Sequence, residues 1–338
     1  VGHTIVVEGA GHLGNNVGTL GVTNNGDLIA QSGGDLTINV SLGNDFVNNG
    51  LVRSTGTGSN IFWVATPTDR FLQNGTFEAI NDADIKLQNG ILENDNLTTA
   101  TGGQITVTQT MRFVNVSNDQ NNSLDINNSV AVTIEGNFHN DGIVNTGGST
   151  TLFFEDDATL TTTPSTGPSQ IFIGGGKTSF IQQSGTNTIP FTNPVGHTIT
   201  VEGTGHLGNN AGDLGVTNNG DLIAQAGGDL TINVSLGNDF VNNALVRSTG
   251  AGSNIFWVAT PTDRFLQNGT FEAVDNADIS LQNGILENDN LSTATGGQIT
   301  VTQSMRFVNV SNDLNNSLDI NNSVSVTIEG NFHNDGIV

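Results

Sequence analysis

The chain contains no cysteine and no tyrosine. Without cysteine it has no disulfide framework and no thiolate metal site. Cations are scarce: 8 Lys and Arg stand against 32 Asp and Glu in 338 residues. So acidic a chain repels nucleic acid and anionic membranes and keeps copies of itself dispersed, so no nucleic-acid partner is expected. No apolar run is long enough to span a bilayer, and no membrane insertion of this segment is expected. Sustained helical periodicity is also missing, and no N-cap is followed by an i, i+3, i+4 apolar face, so no helix of consequence is predicted. The sequence starts at Val1 and stops in mid-pattern at NDGIV, which reads as an interior piece of a longer polypeptide.

What is present is 44 Gly, abundant Asn and Thr, and 17 Phe. A chain this polar could be disordered. Against that, Val, Ile, Leu and Phe recur in short alternating runs such as DLTINV and QITVTQ, the pattern of half-buried strands.

Two periods are nested. Residues 1–144 align without a gap on 195–338 and differ at 15 of the 144 positions. The unit is therefore 194 residues, with one full unit over 1–194 and an incomplete one over 195–338. Most changes are mild; Ser32 becomes Ala226 just before a Gly-Gly corner and should alter little. The largest are Lys86 to Ser280, Gln120 to Leu314 and Thr19 to Asp213. Within the unit an apolar residue followed by a polar turn recurs at Val22, Phe46, Phe71, Leu92, Phe113 and Phe138, spaced 24, 25, 21, 21 and 25 residues apart. Weaker markers begin at Ile5, Leu160 and Phe180, which makes nine per unit and sixteen in the chain. A strand, a glycine-rich turn and a second strand follow a marker, as in DLIAQ-SGG-DLTINV. A rung of about 20–25 residues with short strands is the repeat of a parallel β-solenoid. Asn-Gly pairs also suit antiparallel hairpins, but one rung per marker fits the spacing better.

The predicted fold is thus all-β: a right-handed parallel β-helix of about sixteen rungs, continuous through both units, its hand following from the usual crossover rule. Like residues should stack on successive rungs. Phe46 with Phe71, and Phe113 with Phe138, are the expected core stack. Asn25, Gly26, Asn49, Gly50, Asn74, Gly75, Asn219 and Gly220 are the expected turns and amide ladders, with Gly and Asn supplying left-handed corner conformations.

The strings NNGDLIAQSGGDLTI, FLQNGTFEAINDADIKL and NFHNDGIVNTGGSTTLFF resemble the large secreted repetitive proteins of bacteria: filamentous-haemagglutinin-like adhesins, autotransporter passengers and long repeat proteins with surface-sorting tails. The resemblance covers essentially the whole chain, and its motif is compositional. It implies a right-handed β-helix, an extracellular or cell-surface location, and a role as stalk, fibre or adhesin. It carries over no catalytic residues.

Other chemistries are weaker. A polysaccharide-cleaving β-helix needs clustered acids, or a metal with a base, in one groove, and a near-identical duplication gives such a site no evident advantage. No catalytic or cofactor-binding residue is therefore expected. Glu155, Asp156 and Asp157 could hold Ca²⁺; a solvated turn is the alternative reading. His3, His12 and His139, repeated as His197, His206 and His333, lack zinc-site spacing. Trp63 and Trp257 read as core or face-packing residues rather than sugar platforms. Asn74 and Asn115 head glycosylation sequons, which matter only in a glycosylating host. The expected function is a structural extracellular fibre whose main partner is another copy of itself. An adhesin binding surface glycans is the rival, and a polysaccharide-degrading enzyme the third reading.

Overall fold

The computed structural model describes residues 2–14, 20–40, 44–155, 158–164, 168–183, 190–208, 215–234 and 238–338. Among them all regular structure is strand. The chain clusters into two units: residues 1–153 with 157–170, and residues 154–156 with 171–338.

The first unit is a parallel β-solenoid with three faces. On the first face Thr4–Val7, Asp27–Gln31, Leu51–Thr55, Thr76–Ile80 and Asn96–Ala100 pair in parallel, each with the next. On the second, Ala10–Leu13, Asp35–Ile38, Asn60–Val64, Asp84–Gln88 and Gln104–Val107 do the same, followed by Ser123–Ile126 and Ile143–Thr146. On the third lie Val22–Asn24, Phe46–Asn48, Arg70–Gln73 and Ile91–Glu93, followed by the first half of Met111–Asn118. The second unit repeats these pairings from Thr198–Val201 onward, Asp221 facing Leu245 as Asp27 faces Leu51.

The strands form here because period-2 alternation gives every strand one apolar edge, and all three edges meet inside the coil. In DLIAQ, Leu28 and Ala30 are buried while Asp27, Ile29 and Gln31 are half-exposed. The widest side chains, Trp63, Phe46, Phe71 and Phe77, fill one stretch of the interior. Phe46 stacks on Phe71 at 4.9 Å, and Trp63 meets Phe71 edge-on at 5.2 Å. Aromatic pairs in these geometries add about 0.5–1.5 kcal/mol beyond area burial.

Three expectations change. Among the described residues the coils number about 13, not sixteen. The markers recorded alternation on any face, so Ile5 and Val22 were counted as two rungs; Ile5 faces Leu28 on the first face and Val22 faces Phe46 on the third, within one coil. Phe113 and Phe138 are not register partners: Phe113 opposes Ile134, and Phe138 opposes Val116. Asn115, left-handed at φ 53, inserts a bulge that turns one strand from the third face to the first, so the two rings meet obliquely at 6.3 Å.

The third change concerns the Asn-Gly corners. Gly26, Gly50, Gly75 and Gly220 are not left-handed, and neither are Asn25, Asn49, Asn74 and Asn219. The glycines are needed for close approach: a Cβ on Gly50 would overlap the carbonyl oxygen of Gly26, and one on Gly75 that of Gly50. Left-handed residues occur at other corners, including Ser32 (φ 55) and its copy Ala226 (φ 53).

Because the obstructing atom is backbone, Gly75→Ala should destabilise the first unit by about 1–3 kcal/mol, the usual cost of overpacking. The second unit carries Ala244 where the first has Gly50. Ala244→Gly should therefore stabilise it by about 0.5–2 kcal/mol. Urea midpoints of the two variants moving in opposite directions would support this reading of the corners; equal midpoints would refute it.

Candidate functional site

The groups that repeat from coil to coil are the best candidates for function, and they form three axial systems. The first is an inward amide ladder. Asn24 Nδ2 donates to Asn48 Oδ1 at 2.7 Å, and Asn48 Nδ2 donates to Gln73 Oε1 at 2.8 Å. The same Nδ2 atoms reach the backbone carbonyls of Leu51 (3.1 Å) and Thr76 (3.0 Å) in the next coil. The Oδ1 atoms accept the amides of Gly26 and Gly50 at 3.2 Å, closing each corner. In the second unit Asn193, Asn218, Asn242 and Gln267 form the same ladder, each link 2.8 Å. Asn48 and Asn242 are fully buried, so these bonds meet the requirement that buried polar groups be paired.

The second system is an outward ladder, where the sequence placed one. Asn49 Nδ2 donates to Asn25 Oδ1 at 2.9 Å and Asn74 Nδ2 to Asn49 Oδ1 at 3.1 Å; Asn243 donates to Asn219 at 2.8 Å. It is exposed, so each link contributes less than an inward one. The inward ladder escaped sequence reasoning, although a signal was there. In VTNNG, FVNNG and FLQNG the first amide residue lies two positions after the apolar marker, and period 2 puts it on the same inner edge.

The third system is ionic. All six arginines pair with a glutamate: Arg53 with Glu78, Arg70 with Glu93, Arg112 with Glu135, and Arg247, Arg264 and Arg306 with Glu272, Glu287 and Glu329. Each pair joins strands that are direct neighbours along the solenoid. The arginines are 34–46 % exposed, so each pair is worth little in energy, about 0–1 kcal/mol. Their effect is on register, since a slip of one residue would put one partner on the inner edge and separate the pair.

The remaining candidates are dispersed. Phe46, Phe71, Phe113 and Phe138 are all core residues. Trp63 is buried and donates Nε1–H to the Asn89 carbonyl at 3.1 Å. Asp156 and Asp157 lie outside the described residues; Glu155 is half-exposed. No group of three His, Asp or Glu able to hold a metal occurs among the described residues. Asn115 Oδ1 accepts the Asn137 amide at 3.1 Å, which ties this sequon asparagine into the next coil.

One surface group merits a chemical test. His139 Nδ1 lies 3.0 Å from Thr161 Oγ1, and Nε2 lies 3.0 Å from Asp141 Oδ2. The order resembles carboxylate, imidazole and hydroxyl of a nucleophile–base set. However, Thr161 Oγ1 donates its proton to Asn137 Oδ1 at 2.8 Å. It therefore has none to give His139, which must be the donor. Burial favours the protonated form of Asp141, but the Thr163 amide, the hydroxyls of Thr162 and Thr163, and His139 outweigh it. The carboxyl is held below its ordinary range and is a poor proton donor. Beside it an open hollow of about 480 Å³ is lined by Glu78, Thr98, Asp119 and Asp141, among others.

In the second unit His197 is buried, its Nδ1 2.7 Å from Asn193 Oδ1 at the start of the inward ladder. Burial lowers its pKa from 6.5 to about 3. The unfolded chain then binds the proton more readily than the folded one. The contribution of His197 is present above pH 6.5 and is lost as pH falls toward about 3.

Two predictions follow from these contacts. Asn48→Ala strands Gln73 Oε1 and the Gly50 amide, and should cost about 1–3 kcal/mol, read as a lower urea midpoint and faster amide exchange at Gly50. His197→Gln should flatten the loss of stability between pH 6.5 and 4 relative to the unaltered chain; parallel pH curves would show that His197 is not the group responsible.

Comparison of the chain with protein-family models, with curated proteins and with solved structures finds no match.

Proposed function

We propose that the protein is a structural element of an extracellular or cell-surface fibre, built from tandem solenoid units and associating with copies of itself. The observation that carries this reading is the duplication of the load-carrying contacts, bond for bond, in both units. The Asn48–Gln73 link recurs as Asn242–Gln267, and the Arg53–Glu78 pair as Arg247–Glu272. A binding or catalytic site gains nothing from an interior repeated in this way; a fibre does, because identical units present identical surfaces for helical assembly. The chain's charge of −24 keeps such rods dispersed until their ends or flanks meet. The likeness of its motifs to secreted repetitive bacterial proteins supports the same location and role.

The hollow lined by Glu78, Thr98, Asp119 and Asp141 favours one rival, an adhesin that takes a glycan against hydroxyl and carboxylate groups. It is less suited to glycoside cleavage, because Asp141 is held ionised and so lacks the raised pKa of a general acid.

Negative-stain microscopy and fibre diffraction of native material test the proposal. Long uniform fibres with an axial spacing of about 4.8 Å are expected. Short monomeric rods that bind a glycan array would favour the adhesin, and turnover of neutral or acidic glycans would overturn the structural reading.

A further inference from the structure

The inward amide ladder stops at the same place in both units. Gln73 Oε1 accepts from Asn48, but Gln73 Nε2 is buried and makes no hydrogen bond. The inward corner residue of the following coil is an acid, Asp95. Register brackets the two positions: Phe71 opposes Leu92 on one side of the corner, and Phe77 opposes Leu97 on the other. Asp95 is 2 % exposed, and beyond the amide of the adjacent Asn96 neither carboxyl oxygen has a partner. Asn96 opposes Ser117, which places buried Val116 over Asp95 and closes the corner from above. In the second unit Gln267 Nε2 and both oxygens of Asp289 are left in the same state. An unpaired donor thus precedes an unpaired acid on successive coils, twice.

The charges on the surrounding strands are all directed elsewhere. From the strand before, Arg70 pairs outward with Glu93 of Asp95's own coil. From the strand after, Arg112 pairs outward with Glu135. Asp119 accepts from Asn96 Nδ2 at 3.3 Å on the exposed side. Asp69, buried one corner earlier, accepts the Thr66 amide at 2.8 Å. In the second unit Arg264, Glu287, Arg306, Glu329, Asp313 and Asp263 take the same partners. No cation therefore compensates a carboxylate at either corner, and an isolated buried charge is far costlier than a neutral acid.

We propose that Asp95 and Asp289 are neutral carboxylic acids in the folded protein and act as proton-dependent locks on their corners. With the proton in place the corner buries a neutral acid, which needs no counter-charge. Loss of the proton leaves a buried charge that no cation compensates, and the corner opens to hydrate it. Geometry and electrostatics agree. Burial raises the pKa of both acids, that of Asp289 to about 8, and the Asn96 and Asn290 amides offset only part of this. The unfolded value is 3.8. The folded state therefore holds the proton more tightly, and the stability from Asp289 is greatest below about pH 4 and is lost as pH rises through about 8, with Asp95 acting in the same direction. The device is a brake of opposite sign to His197.

The test compares the unaltered chain with the double variant Asp95→Asn, Asp289→Asn, whose side chains stay neutral at every pH. Urea midpoints and amide protection factors at residues 92–98 and 286–292 are measured from pH 5 to 9. In the unaltered chain the local opening constant should rise toward tenfold per pH unit for each site, the limit for one linked proton, and the double variant should be flat at these corners. Parallel pH curves for the two proteins would overturn the proposal. Infrared spectroscopy of the unaltered chain gives a second readout that does not depend on the variant folding. A protonated carboxylic-acid band should persist at pH 6, where exposed acids are ionised, and fade toward pH 9; its absence at pH 6 would equally overturn the proposal.

Discussion

Each coil of this protein has to retrace the path of the one before it at the spacing of paired strands, about 4.8 Å. The other features of both units follow from that constraint. Backbone bonds run parallel to the solenoid axis, so any side chain that repeats in register meets its own kind one coil away. Amides then form ladders, as Asn24 does with Asn48, and rings stack, as Phe46 does on Phe71. At the corner of Gly26, Gly50 and Gly75 a Cβ would press on the carbonyl oxygen one coil away, a crowding that Ala244 accepts in the second unit.

The same geometry makes stability local. A coil rests on its two neighbours and on little else, so the energy of each unit is close to a sum of nearest-neighbour contacts. The buried polar groups raise the stakes further. A satisfied ladder specifies one register, whereas an unsatisfied group such as Asp95 concentrates the response to pH in a single corner.

Much of the fold was legible in the sequence, for a specific reason. Alternation in DLIAQ and DLTINV reports directly which side chains face inward, and spacing between markers reports the length of a coil. The outward ladder at Asn25, Asn49 and Asn74 was equally legible, because identical residues at one rung's distance must meet. The coil count was overestimated because alternation does not reveal which of three faces a strand occupies. The pairing of Phe113 with Phe138 was misjudged because a one-residue bulge at Asn115 changes the register without changing the composition. The inward ladder was missed because asparagine beside glycine reads as an exposed turn, whereas strand parity carries Asn48 into the core.

By itself, the sequence determined the class of structure, the length of the repeat, the acidic surface and the identity of what stacks on what within the strongest motifs. These depend on periodicity and composition, which are one-dimensional properties. Only the tertiary structure decided which glycines are required by close approach rather than by left-handed backbone. It also decided which of the buried acids are held by a neighbouring amide, as Asp69 and Asp263 are, and which, Asp95 and Asp289, are not. Those outcomes depend on the coil above and the coil below. A residue's solvent and partners are set by neighbours some 20–25 positions away, and local sequence does not record them.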